Sequence, residues 1–151
     1  MTPIDLDDYQ SNVRTRALKE EDFERVTELQ RLCFPGMATW SREQFLSQLK
    51  HFAEGQLGVE VDGVLMASSS SLIIDYDLYS DWHDWKTVSD SGFIKNHDPS
   101  GDMLYGIEIM VHPETRGMKL ARRLYDARKQ IVRERNLKGI VIGGRIPGYV
   151  N

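Results

Sequence analysis

A nearly continuous apolar run, MLYGIEIMV (Met103–Val111), narrows the choice of folds more than any other part of the sequence. A strand is apolar along its whole length only when both faces of its sheet are covered. Residues 119–135 follow with helical spacing, and residues 139–144 then form a short apolar strand. Strand, helix and strand in this order favour a parallel crossover. The apolar stripe of the predicted helix consists of Leu120, Leu124, Ala127 and Ile131.

The segments before this unit predict the rest of one domain, 13–151, behind an acidic leader, 1–12. A short strand over 13–18 precedes two helices over 19–34 and 41–52. The second helix begins with a capping-box pattern, Ser41 with Gln44 three residues later. Two further strands follow, joined by Asp62-Gly63, a strong hairpin signal.

A long polar stretch over 75–102 carries aromatic side chains and predicts an insertion loop. Its Asp81, His83 and Asp84 lack a clear fourth ligand, so we predict no metal site. The preceding run Ser68–Ser71 lacks the glycine-flanked elbow of a nucleophilic serine. We therefore interpret these serines as small residues where another backbone or a ligand approaches a strand.

Charge is divided unevenly along the chain, whose net charge is −4. Residues 1–111 carry 9 lysines and arginines against 20 aspartates and glutamates, whereas residues 112–151 carry 10 against 3. Such asymmetry indicates a polyanion site, and nucleic acid, a phosphorylated cofactor and a merely solvated helix face all remain open. The apolar strands on either side of the basic helix argue against nucleic acid.

The basic stretch HPETRGMKLARR, residues 112–123, opens the predicted helix over 119–135. A helix N-terminus offers unpaired N–H groups and a partial positive charge, which bind phosphate readily. Gly117 would let a ligand approach the backbone, and Arg116 would add a planar donor. Neither the P-loop pattern nor the dinucleotide-binding glycine pattern is present.

The stretch IEIMVHPETRGMKLARRLYDARKQ resembles motif A of the GNAT acyltransferases, in which a strand and a proline-containing turn precede R/Q-x-x-G-x-G/A. Arg116 and Ala121 match the ends of that pattern, and Lys119 replaces its first glycine. Over about residues 13–149 the chain resembles the acetyltransferase-like module that bacteria fuse to a carbon–nitrogen hydrolase (nitrilase-like) domain. The resemblance implies an α/β (α+β) three-layer fold, with helices on both faces of a mixed, mostly antiparallel sheet.

The resemblance also implies a site for acetyl-CoA between the strand Met103–Val111 and the strand over 139–143. The pantetheine would pair with the backbone of Ile109, Met110 and Val111, and the Val111 N–H would be the oxyanion donor. The diphosphate would lie on the turn and first helical residues. The cofactor-binding residues after the strand would be Arg116, Gly117, Met118, Lys119, Leu120, Ala121 and Arg122.

The expected activity is N-acyl transfer from acetyl-CoA to a small-molecule or peptide amine. Glu108, the one acid in its strand, is the candidate base, and Tyr149 is a second catalytic candidate. The alternative is a non-catalytic module that binds CoA or a partner and regulates an associated enzyme. The chain ends at Asn151, so we expect the last helix and hairpin of the family's fold to be absent. The sheet edge exposed in this way would permit a homodimer.

A cytoplasmic location is expected. The single cysteine, Cys33, excludes an intrachain disulfide and favours a reducing compartment. The polar first residues do not form a signal peptide. No apolar run approaches the roughly 20 residues that a membrane span needs.

Overall fold

The computed structural model describes residues 12–79 and 85–145. Its strands are β1 (Val13–Ala17), β2 (Leu57–Val61), β3 (Val64–Ile74), β4 (Met103–Val111) and β5 (Gly139–Arg145). Its α-helices are α1 (Phe23–Cys33), α2 (Arg42–Phe52), α3 (Trp85–Val88) and α4 (Leu120–Glu134). Short 3-10 turns cover Glu20–Asp22, Ala53–Gly55, Tyr76–Leu78 and Pro113–Met118. The acidic leader, apart from residue 12, lies outside the described residues.

The strands form one sheet in the order β1-β2-β3-β4-β5. Neighbouring strands are antiparallel except β4 and β5, which are parallel. The predicted mixed, mostly antiparallel sheet is therefore confirmed, as is the parallel pair on either side of the basic helix. The hairpin between β2 and β3 turns at Asp62 (φ 52°) and Gly63 (φ 84°), the positive angles of a tight two-residue turn.

Helices cover both faces of the sheet, as predicted. Gln30 of α1 reaches the Glu108 carboxylate on one face, whereas Arg128 of α4 lies against Gly106 on the other. Helix α1 turns Val26, Leu29 and Cys33 into the core. The Ser41 hydroxyl accepts a hydrogen bond from the Gln44 N–H, and the Gln44 side chain closes the capping box that starts α2.

A β-bulge interrupts β4 between Gly106 and Glu108. Gly106 is paired with Ser71 of β3 and Glu108 with Ser70, so Ile107 is an extra residue on β4. Paired residues share a face and consecutive residues alternate, so Gly106 and Glu108 face opposite sides of the sheet. This explains why Gly106 faces α4 and Glu108 faces α1.

The predicted insertion is partly regular, with a 3-10 turn and the short α3. Asn96 Nδ2 ties the segment together by donating to Tyr79 Oη (3.0 Å) and to the Val88 carbonyl (2.6 Å). His97 stacks on Phe52 of α2 with ring centroids 4.2 Å apart, which fixes the segment to the helix. Asp81, His83 and Asp84 lie outside the described residues.

Candidate functional site

The free edge of β4 is the first part of the candidate site. The His112 N–H donates to the Met66 carbonyl of β3 over 2.8 Å. In an antiparallel ladder alternate residues turn their N–H and C=O groups to opposite edges, so those of Ile109 and Val111 point away from β3. On that side, the pairing with β5 ends at Glu108 and Arg145 within the described residues. Within the described residues, Ile109 and Val111 therefore leave backbone donors and acceptors directed towards a gap beside the end of β5.

The turn after β4 is a 3-10 segment, Pro113–Met118. His112 Nδ1 accepts the Glu114 N–H at 3.1 Å, and the buried Thr115 donates both its N–H and its hydroxyl to the His112 carbonyl at 2.9 Å. These bonds fix the turn from the inside, while Arg116 and Gly117 remain exposed. A Cβ added at Gly117 would meet nothing within 4 Å, so the space in front of it is open.

Lys119 links this turn to α4 with φ 60° and ψ 36°, the left-handed conformation that glycine adopts most easily. The sequence predicted that the helix begins at residue 119, but regular α4 begins at Leu120 because Lys119 is not helical. No side chain caps this N-terminus, so the N–H groups of Leu120, Ala121 and Arg122 carry no side-chain partner there. At the position where the resembled motif has glycine, a lysine therefore adopts a conformation that glycine favours.

Positive charge surrounds these N–H groups. Arg116, Lys119, Arg122 and Arg123 are all exposed. An open groove of about 590 Å³ runs along the solvent side of α4. Its lining consists of Lys119, Arg122, Tyr125, Asp126 and Lys129. The turn and the first helical residues thus combine backbone N–H groups that no side chain caps with several exposed cations, an arrangement that suits a diphosphate.

Glu108 is buried on the α1 face, with 4% of its surface exposed. Its Oε1 accepts a hydrogen bond from Trp40 Nε1 at 2.9 Å, and Gln30 Nε2 lies 3.3 Å from the same oxygen. The Gln30 Oε1 in turn accepts the Trp40 N–H at 2.7 Å. The carboxylate is thus held by donors from α1 and from the loop that follows it.

Cys33, at the end of α1, contacts the end of β4. Its thiol donates to the Val111 carbonyl, with 3.3 Å between sulfur and oxygen. Burial raises the pKa of this thiol, so it acts as a neutral donor rather than as a thiolate nucleophile. The Val111 carbonyl is therefore fixed by a side chain from the α1 layer.

The sequence predicted that the end of β4 and the basic turn belong to one site, and the structure places these residues next to each other. The sequence-based prediction missed Trp40, Gln30 and Cys33, which surround the end of β4. A polar residue on the apolar face of α1 was a usable signal for Gln30, since residues 26, 30 and 33 share that face. Tyr149 lies outside the described residues.

Two findings on metals and membranes concern residues 12–79 and 85–145 alone. In these ranges no three histidine, cysteine, aspartate or glutamate side chains come together as metal ligands would. No helix there combines the length and the apolar character needed to cross a bilayer.

The mixed sheet, the free edge at the end of β4 and the uncapped basic helix that follows it are the features that the resemblance to the GNAT acyltransferases implied. The chain belongs to the acetyltransferase (GNAT) family, whose sequence model matches residues 23–146.

Two proteins of Bacillus subtilis (strain 168) are similar to the chain. It is 48% identical over 146 residues to "Probable hydrolase YhcX", covering 97% of this chain and 28% of that protein. It is 35% identical over 138 residues to "Uncharacterized N-acetyltransferase YkwB", covering 89% of this chain and 61% of that protein. The chain thus spans less than two thirds of both relatives, and the activity of either whole protein does not transfer to it directly.

Solved structures agree on the fold. The loading GNATL domain of CurA from Lyngbya majuscula superimposes with a TM-score of 0.67 at 21% identity, covering 80% of this chain and 58% of that one. Arabidopsis thaliana Naa50, in complex with the bisubstrate analogue CoA-Ac-MVNAL, superimposes with a TM-score of 0.60 at 11% identity. That match covers 86% of this chain and 70% of the Naa50 chain. At these identities the likeness concerns the fold alone.

Proposed function

We propose that this chain is an acyl-CoA-dependent N-acyltransferase that moves an acetyl group from acetyl-CoA to an amine. The observation that carries the proposal is the uncapped N-terminus of α4, which follows a left-handed Lys119 and lies beside the free edge of β4. Family membership and a fold shared with a protein bound to a CoA-containing bisubstrate analogue support it.

The residues present fit coenzyme A. The open space at Gly117 lets a diphosphate approach the backbone, and the N–H groups from Gly117 to Arg122 would bind it with Arg116 alongside. The edge of Ile109, Met110 and Val111 would pair with the pantetheine amides as an added strand does. When bound, acetyl-CoA supplies an activated thioester.

The chain's own residues would then do the following. The Val111 N–H would donate to the thioester carbonyl oxygen, held in place because Cys33 fixes the same strand end. Glu108 would accept the proton of the attacking ammonium, directly or through water. Tyr149, which lies outside the described residues, remains the second catalytic candidate from the sequence, for polar work near the proposed opening.

Calorimetric titration with acetyl-CoA tests the binding half of the proposal. We expect the wild-type chain to bind and Arg116→Glu to bind at least about tenfold more weakly, because the diphosphate loses a cation and gains an anion. Arg133→Glu is the matched control, since it makes the same charge change in the last turn of α4. Equal affinities in the two variants, or no heat with the wild type, would refute the site.

The catalytic half is tested by release of free thiol from acetyl-CoA in the presence of small amines, polyamines and peptides with free N-termini. We expect turnover with at least one of these classes. These classes of amine match the proposed acceptor, which is a small-molecule or peptide amine. Separate trials with duplex DNA and heparin should show no retention at physiological salt if the basic helix serves a cofactor and not nucleic acid.

A second candidate function is a non-catalytic, CoA-binding module that regulates an associated enzyme. The observation in its favour is the burial of Glu108, whose carboxylate contacts Trp40 and Gln30. A relative named as a probable hydrolase, of which this chain spans 28%, agrees with such a setting. Acetyl-CoA binding without turnover across the whole amine panel would favour this function over the first.

A further inference from the structure

Arg128 of α4 is an unusually deep cation, with 1% of its surface exposed. Its Nη2 donates to the Ser70 carbonyl at 2.9 Å and to the Glu108 carbonyl at 3.0 Å. Burial lowers its pKa to about 10, which still leaves the guanidinium charged near neutral pH. A buried charge is costly unless it is paired, and replacing it with an apolar side chain often costs a fold nothing. The position therefore suggests a role other than packing.

The two acceptor carbonyls belong to residues that face each other across the β3–β4 ladder, at the bulge. A carbonyl oxygen can accept two hydrogen bonds, so one guanidinium nitrogen can join both strands without displacing the ladder. The bulge is also the last point at which β4 is paired with β5 within the described residues. Arg128 thus fixes the backbone where the free edge of β4 begins.

Gly106 makes room for this contact. A Cβ at that position would lie 2.6 Å from Arg128 Nη1 and 3.0 Å from its Cζ. The guanidinium cannot move aside freely, because its Nη2 is bonded to both strands. Glycine in the middle of a strand is otherwise unfavourable, and it often marks a close approach of this kind.

We propose that Arg128 is a positioning residue for acyl-CoA. By holding the Gly106–Glu108 bulge, it keeps the N–H groups of Ile109 and Val111 directed into the gap beside β5. This inference rests on the proposed function, because it assigns the residue to the pantetheine and thioester part of the same site. Arg128 itself touches neither the cofactor nor the acceptor.

The test compares acetyl-CoA affinity, measured by calorimetry, with thermal stability in four variants of the full chain. Arg128→Met removes the donors but keeps an unbranched apolar chain, and Arg128→Lys keeps the charge without the planar fork. Gly106→Ala displaces the guanidinium while leaving it in the protein. Ile131→Ala, on the same buried side of α4, is the control for lost packing.

Arg128→Met and Gly106→Ala should each bind acetyl-CoA about tenfold or more weakly, because a misplaced backbone lowers complementarity even far from the chemistry. The affinity of Arg128→Lys for acetyl-CoA should lie between that of these two variants and that of the wild type. Ile131→Ala should lower the melting temperature but stay within about twofold of the wild-type affinity. If Arg128→Met does not fold, Gly106→Ala decides the question alone.

Wild-type affinity in a folded Arg128→Met or Gly106→Ala variant would overturn the inference, as would an equal loss in Ile131→Ala. Absence of acetyl-CoA binding by the wild type would instead overturn the proposed function, and the inference with it. The two failures are distinguishable because the second is seen without any substitution.

Discussion

Trp40 Nε1 donates a hydrogen bond to Glu108 Oε1 over 2.9 Å, although the two residues are 68 positions apart in the chain. The bond ties the loop after α1 to the middle of the sheet. It also gives the one carboxylate of β4 a fixed direction, towards α1 and away from α4. Both proposed functions depend on what this carboxylate does.

Glu108→Gln separates the two functions. A glutamine oxygen can still accept from the Trp40 indole, but a neutral amide cannot take a proton from an ammonium. We expect kcat to fall by about 10² or more, while the Kd for acetyl-CoA changes less than about twofold. Thiol release at saturating amine measures the first and calorimetry the second. An unchanged kcat would show that Glu108 is not the base.

Trp40→Phe tests the support of the carboxylate. The phenyl ring fills much of the same space but removes the donor, leaving a buried oxygen with fewer hydrogen bonds. The free energy of unfolding should fall by about 1–3 kcal/mol, measured by urea denaturation. Phe45→Leu changes a buried aromatic of α2 that packs on Phe23, and it provides a packing comparison. A loss of acetyl transfer in Trp40→Phe beyond that of Phe45→Leu is expected as well.

Lys119→Gly should stabilise the protein. Lys119 has φ 60°, and a side chain in the left-handed region costs about 1 kcal/mol that glycine does not incur. We expect the free energy of unfolding to rise by about 0.5–1 kcal/mol in chemical denaturation. Lys119→Ala removes the same charge but keeps a Cβ, so it should show no gain. A less stable Lys119→Gly protein would contradict the conformation.

Alanine substitution of two serines of β3 should have different effects on the free energy of unfolding. The Ser71 hydroxyl donates to the Gly55 carbonyl at 3.0 Å, so Ser71→Ala should cost about 1 kcal/mol of unfolding free energy. The buried Ser68 hydroxyl has no hydrogen-bond partner in the described part of the chain. Ser68→Ala should therefore be neutral or stabilising by up to about 1 kcal/mol in the same denaturation experiment. A clear loss in Ser68→Ala would indicate a polar contact at that hydroxyl.

His97 gives the stability a pH dependence. Burial lowers its pKa to about 4, and its Nδ1 accepts the Ile73 N–H, which a protonated ring cannot do. The unfolded imidazole titrates near 6.5, so the unfolded state binds more protons between pH 4 and 6.5. The protein should therefore lose stability as pH falls through this window, by about 1–2 kcal/mol for a partly exposed ring.

Urea denaturation at several pH values between 4 and 7 measures that slope. His97→Asn is the informative variant, because the amide oxygen can take over the acceptor role without titrating. Its unfolding free energy should vary less between pH 6.5 and 4 than that of the wild type. An equal slope in both proteins would mean that other groups are responsible.

Local signals in the sequence were sufficient for most of the fold. The Asp62-Gly63 turn, the Ser41 capping box and the bounds of β4 all agree with the structure, because each depends on residues close together in the chain. The bulge at Ile107 was not predictable, since a single extra residue leaves no mark on an apolar run. Consequently the side of the sheet that Glu108 faces could not be derived from alternation.

The candidate site, like the fold, was only partly predictable from the sequence. The backbone groups after Val111 were predictable, because a basic turn followed by a helix leaves a pattern in consecutive residues. The partners of Glu108 were not, since Trp40 lies in a loop whose path depends on the packing of α1 and α2. Arg128 was hidden among the other basic residues of α4, and only its depth in the structure distinguishes it.

The extra residue in β4 decides how this strand is to be aligned with its relatives. Without Ile107 the strand would alternate regularly, Gly106 would still face Ser71 and Glu108 would still face Ser70, so the carboxylate would stay on the side of the indole. A relative that is one residue shorter here can thus keep its acid on the same side of the sheet, whereas one of equal length without the kink would turn the acid towards the other helix layer. An alignment assigns the acid to the correct side only when the kink itself is matched, and the number of residues alone does not decide it.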